Sequence, residues 1–220
     1  GSGTLNLLES ARLNNVKKFI VASSNAVAGS SLPPFSEITV GKPISHYACS
    51  KQLVESYCNT YQSLYGLNCL ILRFSNVYGP GSLKKGSVIS KFLKNGFKSG
   101  FLTIYGDGEQ TRDFLYIDDL TRGVLLSLKY KGSCKCFCLG SGNKTKIIDV
   151  AKNIEIMFKN NLNKDIDIKY APMRNGDIID NWSDIKLANT QLNYFHKTSI
   201  ESGLEKTFEW FKSNINKIGV

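Results

Sequence analysis

Apolar and polar positions follow two rhythms along this chain. Leu5, Leu7, Leu8, Ala11 and Leu13 recur at helical spacing and stop at Asn14-Asn15, which predicts an opening helix. Residues 16–22 form a short run rich in Val, Ile and Phe, apolar without a break after two lysines, and read as a buried strand. A loop rich in Ser, Gly and Pro fills 23–43. Leu53, Val54, Tyr57, Cys58, Tyr61 and Leu64 then mark a long helix over 47–65, stopped by Gly66, and 68–74 reads as the next buried strand.

Beyond Pro80-Gly81 the same alternation continues. Val88, Ile89, Phe92 and Leu93 predict a helix, 101–105 a strand, and Gly106-Asp107-Gly108 a turn. An extended piece at 113–117, a helix at 118–130 and a strand at 134–139 follow. Thr145 is placed to N-cap a helix running to Phe158. A strand at 165–170 and helices at 184–192 and 199–215 complete the chain. This order predicts an α/β fold, whose chemistry belongs at the carboxyl ends of parallel strands, here after Ala22 and Phe74.

Composition adds bounds. The 220 residues are 42% hydrophobic and 21% charged, the balance of a globular protein with a substantial core. Apolar runs such as 19–22 and 69–72 are far shorter than the roughly 20 residues of a membrane span, and no secretory leader pattern opens the chain. The 28 Lys+Arg against 18 Asp+Glu leave a net charge of +10. These lysines are dispersed, which suggests a solvated basic surface and argues against a nucleic-acid face. Cys134-x-Cys136-x-Cys138 lacks the spacing of a zinc knuckle. It fits small apolar side chains on one strand face, reduced thiols and a cytoplasmic protein.

Candidate chemistry centres on Tyr47-Ala48-Cys49-Ser50-Lys51. Residues i and i+4 of a helix stand side by side. A phenol titrates near pH ~10, and a neighbouring ammonium favours its phenolate. The pair therefore suits removal of a proton from a hydroxyl. Ser24, at the exit of the strand before the long loop, could hydrogen-bond the same hydroxyl oxygen.

These motifs, in order, resemble the NAD-dependent epimerase/dehydratase family, the extended short-chain dehydrogenase/reductases that act on nucleotide sugars. Ser23-Ser24 with Val27-x-Gly29, then Pro43-x3-Tyr47-x3-Lys51, is similar to its catalytic set. The segments 72–80 (Leu-Arg-Phe-Ser-Asn-Val-Tyr-Gly-Pro) and 104–114 (Ile-Tyr-Gly-Asp-Gly-Glu-Gln-Thr-Arg-Asp-Phe) resemble its nicotinamide-facing strand and diphosphate-binding segment. Arg174-Asn175-Gly176-Asp177 with Trp182-Ser183-Asp184 resembles its second arginine site. Ala28 and His46 depart from the tyrosine and proline usual in the family.

The resemblance implies a partial Rossmann-like parallel sheet, its first strands absent from these residues, with a smaller α/β substrate-binding C-terminal domain. Residues 1–81 would be the C-terminal part of the NAD-binding domain. Residues 82–220 would mainly bind the nucleotide sugar, with some segments returning to the sheet. It also implies roles: Tyr47 as acid/base, Lys51 beside it holding the nicotinamide ribose, Ser24 orienting the 4-hydroxyl, and Phe74 at the cofactor. Asn76, Arg112 and Arg174 would bind the diphosphate, Asp177 the nucleotide ribose and Tyr105 the uracil, with Val88 lining the substrate. Asn181 would sit where family members gate sugar size.

Several readings stay open. No carboxyl stands at Asn25 or Ala26, where family dehydratases carry one, so the resemblance favours 4-epimerisation of a UDP-hexose or UDP-N-acetylhexosamine through NAD-dependent oxidation at C4. A reductase or dehydratase is the alternative, as is a nucleotide-sugar-binding fragment without catalysis. The family's Gly-x-x-Gly-x-x-Gly loop is not among these residues. The isolated chain is therefore expected to need a separate N-terminal half for tight NAD binding, and to leave an apolar sheet edge. The helices at 4–13 and 47–65 resemble those of the family's homodimer.

Overall fold

The computed structural model describes residues 1–133, 135–174, 176 and 178–215; the expectations for Cys134 and Asp177 lie outside these. Helix α1 (Ser2–Leu13) leads into strand β1 (Phe19–Ser24), helix α2 (His46–Tyr65) and strand β2 (Cys69–Phe74). A short strand β3 (Asn76–Tyr78), helix α3 (Val88–Ser99), strands β4 (Phe101–Tyr105), β5 (Thr111–Arg112) and β6 (Phe114–Tyr116), and helix α4 (Ile117–Lys129) follow. The remainder is β7 (Lys135–Leu139), β8 (Thr145–Lys146), α5 (Ile147–Leu162), β9 (Asp167–Ala171), β10 (Asp180–Asn181), α6 (Lys186–Leu192) and α7 (Ile200–Asn214).

Strands β1, β2 and β7 form a parallel sheet in that order, with Ser24 opposite Phe74 and Phe74 opposite Leu139 at its carboxyl end. The period-2 alternation of β2 explains the layering. Cys69 and Ile71 pack with Leu8, Ala11, Cys58 and Tyr61 of α1 and α2. Leu70 and Leu72 face the other way, onto Leu120, Ala188, Leu192 and Tyr194. Both faces are thus covered, which is why β2 reads as a continuous apolar run.

A second core joins α3, β4, α5 and α7 through Phe92, Leu102, Ile154, Phe158, Phe208 and Phe211. Strand β4 pairs in parallel with β9. Between the two cores lie the short ladders β3–β6 and β10–β5–β8. Here one expectation fails. Thr145 does not cap a helix: it pairs with Arg112 in β8, and α5 begins at Ile147 with Lys146 at its cap and no side-chain cap bond. Pairing with β5 outcompetes a capping hydroxyl. Among the described residues no helix is long and apolar enough to cross a membrane.

The sheet carries one internal ion pair. Arg73 follows Leu72 and so points toward α2, where its Nε and Nη2 bind the two oxygens of Glu55 at 2.9 and 2.8 Å. Ser23 Oγ donates to the same carboxylate, and Arg73 Nη1 donates to the Ser36 carbonyl in the long loop. Burial works against the Arg73 charge, but the Glu55 carboxylate outweighs it and holds its pKa above the usual value. Replacing Glu55 by Ala leaves that guanidinium buried and unpaired, and is expected to cost about 3–5 kcal/mol, read as a lower urea midpoint. The double change Glu55→Leu with Arg73→Met should recover most of the loss. An equal loss in single and double variants would assign the effect to packing alone.

Candidate functional site

One cavity of about 410 Å³ opens at the carboxyl end of β1 and β2 and runs toward α3 and the β4–β5 turn. Its walls bring together nine of the expected residues: Ser24, Tyr47, Phe74, Asn76, Val88, Tyr105, Arg112, Arg174 and Asn181. Lys51 lies just outside its lining.

The reacting end is built by strand ends and a helix start. Ser24 closes β1 and caps the short turn Asn25–Ala28, accepting a bond from Ala26 N at 3.2 Å. Its hydroxyl proton remains available to a ligand. Ser45 caps α2 through Ala48 N at 3.1 Å, and so sets Tyr47 one residue into the helix with its ring more than half exposed. Lys51, one turn on, holds its ammonium 5.7 Å from the Tyr47 ring centre. The same ammonium donates to the Ala22 carbonyl at 2.8 Å, which ties α2 to β1.

The far end is basic and aromatic. Arg112 Nη1 donates to the carbonyls of Thr111 and Ile178 at 2.8 and 2.6 Å. Arg174 lies with its guanidinium carbon 3.7 Å from the Tyr105 ring centre. The adjacent Arg174 guanidinium favours the phenolate and so lowers the Tyr105 pKa from its ordinary value. Lys85 donates to the Val77 carbonyl at 2.6 Å, and Lys91 completes a set of four cations. No carboxylate stands among the described lining residues. A cleft lined by one sign of charge concentrates ligands of the other.

Sequence reasoning missed the network beneath this floor. Asp113, next to Arg112 in the sequence, is fully buried. Its Oδ1 accepts from Ser141 N and Oγ, both at 2.7 Å, and its Oδ2 from Ser75 Oγ at 2.9 Å and Ser183 N at 3.3 Å. Its main chain pairs with Asn76 and Asn181, so two cavity residues hang on one acidic residue. A Cβ at Gly140 would collide with the Asp113 carboxylate and the Ser75 hydroxyl, so only glycine fits there. The available signal was Asp113 itself, an acid followed by the apolar triplet Phe114-Leu115-Tyr116.

The profile of the NAD dependent epimerase/dehydratase family matches residues 1–136. The chain belongs to that family. It is 38% identical over 218 residues to a UDP-glucuronate 4-epimerase of Thermodesulfobacterium geofontis, covering 99% of this chain and 66% of that relative's length. A crystal structure of UDP-glucose 4-epimerase from Thermotoga maritima with UDP-glucose superposes with a TM-score of 0.89 at 33% identity, over 97% of this chain and 69% of that one. A UDP-glucuronic acid 4-epimerase from Bacillus cereus, in complex with UDP-glucuronic acid and NAD, gives a TM-score of 0.85 at 30% identity, over 96% of this chain and 66% of that one. The mixed α/β architecture with parallel sheets is thus that of the epimerase/dehydratase family.

The Arg174–Tyr105 stack makes a direct prediction. Arg174→Ala should return the Tyr105 phenol toward the ordinary value of about 10. The check is phenolate absorbance against pH, with Tyr105→Phe subtracted to isolate the one ring. An unchanged Tyr105 titration would show that the guanidinium does not rest on it.

Proposed function

We propose that this chain carries the substrate side of a nucleotide-sugar 4-epimerase acting on a UDP-hexose or UDP-N-acetylhexosamine. One observation carries the reading: a single cavity holds a hydroxyl–phenol pair at one end and arginines at the other, without a carboxylate among its described lining residues. Guanidinium forks suit phosphate oxygens, so Arg112 and Arg174 bind the diphosphate with Asn76, and Tyr105 stands by the base. Val88 lines the sugar's path, and Asn181 limits the room beside it.

At the other end Ser24 donates to the sugar's 4-oxygen while Tyr47 removes the 4-hydroxyl proton and later returns it. Lys51 places a positive charge beside the phenol. NAD, when bound, supplies the hydride acceptor and donor for carbon 4. The residues present fit its nicotinamide end: the exposed Tyr47, the Lys51 ammonium and Phe74 meet where parallel strands end. The glycine loop that would hold the pyrophosphate is not among the 220 residues. Residues 1–81 and 82–220 would divide the cofactor and sugar duties between them. The exposed Leu7 of α1 and Leu53 and Leu64 of α2 support a homodimer through these helices, and the buried thiols of Cys69 and Cys138 suit a cytoplasmic setting.

Calorimetric titration with UDP tests the clamp. The chain should bind UDP, and Arg112→Ala should weaken binding roughly tenfold or more, the order expected for a charge-assisted bond to phosphate of about 1.5–3 kcal/mol. Tyr47→Phe should leave UDP affinity unchanged while abolishing the interconversion of 4-epimers that the chain supports when NAD and a separate N-terminal half are supplied. Failure to bind UDP at all would sink the reading. Retained turnover in Tyr47→Phe would remove the phenol from the chemistry.

A further inference from the structure

Helix α2 and strand β2 meet through two thiols. Cys58 stands on the sheet-facing side of α2, Cys69 opens β2, and both are fully buried. They share one apolar core with Leu8, Ala11, Leu67 and Ile71. Within it the Cys58 thiol hydrogen-bonds the Cys69 sulfur. That bond favours the Cys69 thiolate and draws its pKa below the ordinary thiol value, against the opposing effect of burial. A single buried cysteine packs as a small hydrophobe and is inert. Two that meet sulfur to sulfur have a further chemistry open to them. A disulfide requires side chains that converge from positions close in space, and here a helix and a strand supply them. The two residues are eleven apart in sequence, so the bond would close a short loop through the Gly66 turn.

We infer that Cys58 and Cys69 form a redox-active dithiol, which hydrogen peroxide converts to a disulfide that fastens α2 to the sheet. The direction of the hydrogen bond assigns the roles. The Cys69 thiolate attacks one peroxide oxygen, the O–O bond breaks, and the departing hydroxide takes up the proton that Cys69 released. The Cys58 sulfur then attacks the Cys69 sulfenic acid, and its own proton leaves with the hydroxyl as a second water. Two thiols and one peroxide thus give one disulfide and two waters. Burial sets the pace, because the oxidant reaches the pair through local opening of α2 from β2. In a reducing compartment the pair rests as thiols, as expected of disulfides that form there only transiently. The first two turns of α2 carry Tyr47 and Lys51, so the bond would act on the helix that presents the phenol.

Lys51 and Arg73 bound a single tryptic peptide, 52–73, that holds both cysteines. The folded chain is treated with hydrogen peroxide, blocked with iodoacetamide, unfolded in the same reagent and digested. Peptide 52–73 should be recovered lighter by two hydrogens and without alkyl groups, and dithiothreitol before blocking should restore two alkylated cysteines. Cys58→Ser should leave Cys69 without a cross-link, and Cys49→Ser, which removes the exposed thiol, should change nothing. Should Cys58→Ser not fold, the peptide map of the unmodified chain decides. Both cysteines alkylated while Cys49 is oxidised would overturn the assignment, as would a sulfinic acid in place of the cross-link, or a cross-link from either one to another cysteine. The same single pairing from urea-unfolded chain would trace it to sequence proximity and not to the fold, and so overturn it too. In the oxidised chain, amide exchange over 52–65 should slow. Unchanged exchange would show that the bond does not fasten the helix.

Discussion

Everything that shapes the site depends on how one buried carboxylate is satisfied. Asp113 has no exposed surface, and its oxygens are met by main-chain and hydroxyl donors from Ser75, Ser141, Gly142 and Ser183. Those donors come from the exit of β2, the turn after β7 and the segment after β10, regions that share no sequence neighbourhood. In a low-dielectric interior each donor withdrawn leaves charge uncompensated, so the segments are held together more firmly than their short ladders could manage. The glycine at 140 is the steric counterpart: it lets the turn after β7 approach until its neighbours reach Asp113. Tyr194, from the loop after α6, donates to the Gly140 carbonyl at 2.8 Å and braces the same turn.

The elements legible from the chain are those whose pattern repeats often enough to be seen. α2 spans twenty residues with a serine cap and a Gly66 stop in the left-handed conformation, and the spacing of Tyr57, Cys58 and Tyr61 located it within a residue. β2 was legible because both its faces are buried. β3, β5, β8 and β10 have two or three residues each. No period can be read from so few positions, and their pairing partners lie far along the chain. The misplaced cap at Thr145 has the same origin, because a threonine before an apolar helix signals a cap unless a distant strand claims it.

The site divides along the same line. Tyr47 and Lys51 are one helical turn apart, so their proximity follows from local geometry. Arg112 and Arg174 carry no local sign of the diphosphate role proposed for them, and only resemblance to the epimerase/dehydratase family points to it. Asn25 is more instructive. From the sequence it registered as a place where a carboxyl is absent, a purely negative observation. Its bonds to Ser75 and Ser183, 50 and 158 residues away, tie it into the Asp113 network, which no local pattern signals.

The two arginines at the far end differ in a way that bears on how a ligand would be held. Arg112 is anchored through Nη1 by two main-chain carbonyls, so its position is set before a ligand arrives. Arg174 is exposed and rests on the Tyr105 ring. A planar guanidinium stacked on an aromatic face keeps its edge donors in the plane and free to bind. The fixed group loses little freedom on binding, whereas the stacked one can adjust at a cost in side-chain entropy of about 0.5–1.5 kcal/mol. One rigid and one adjustable cation would hold a diphosphate firmly while tolerating movement of whatever is attached to it. Under the proposed reading, a sugar that must offer either face of carbon 4 to a hydride carrier while its diphosphate stays held would be served by that combination. Two rigid anchors would resist its rotation, and two loose ones would let the nucleotide go.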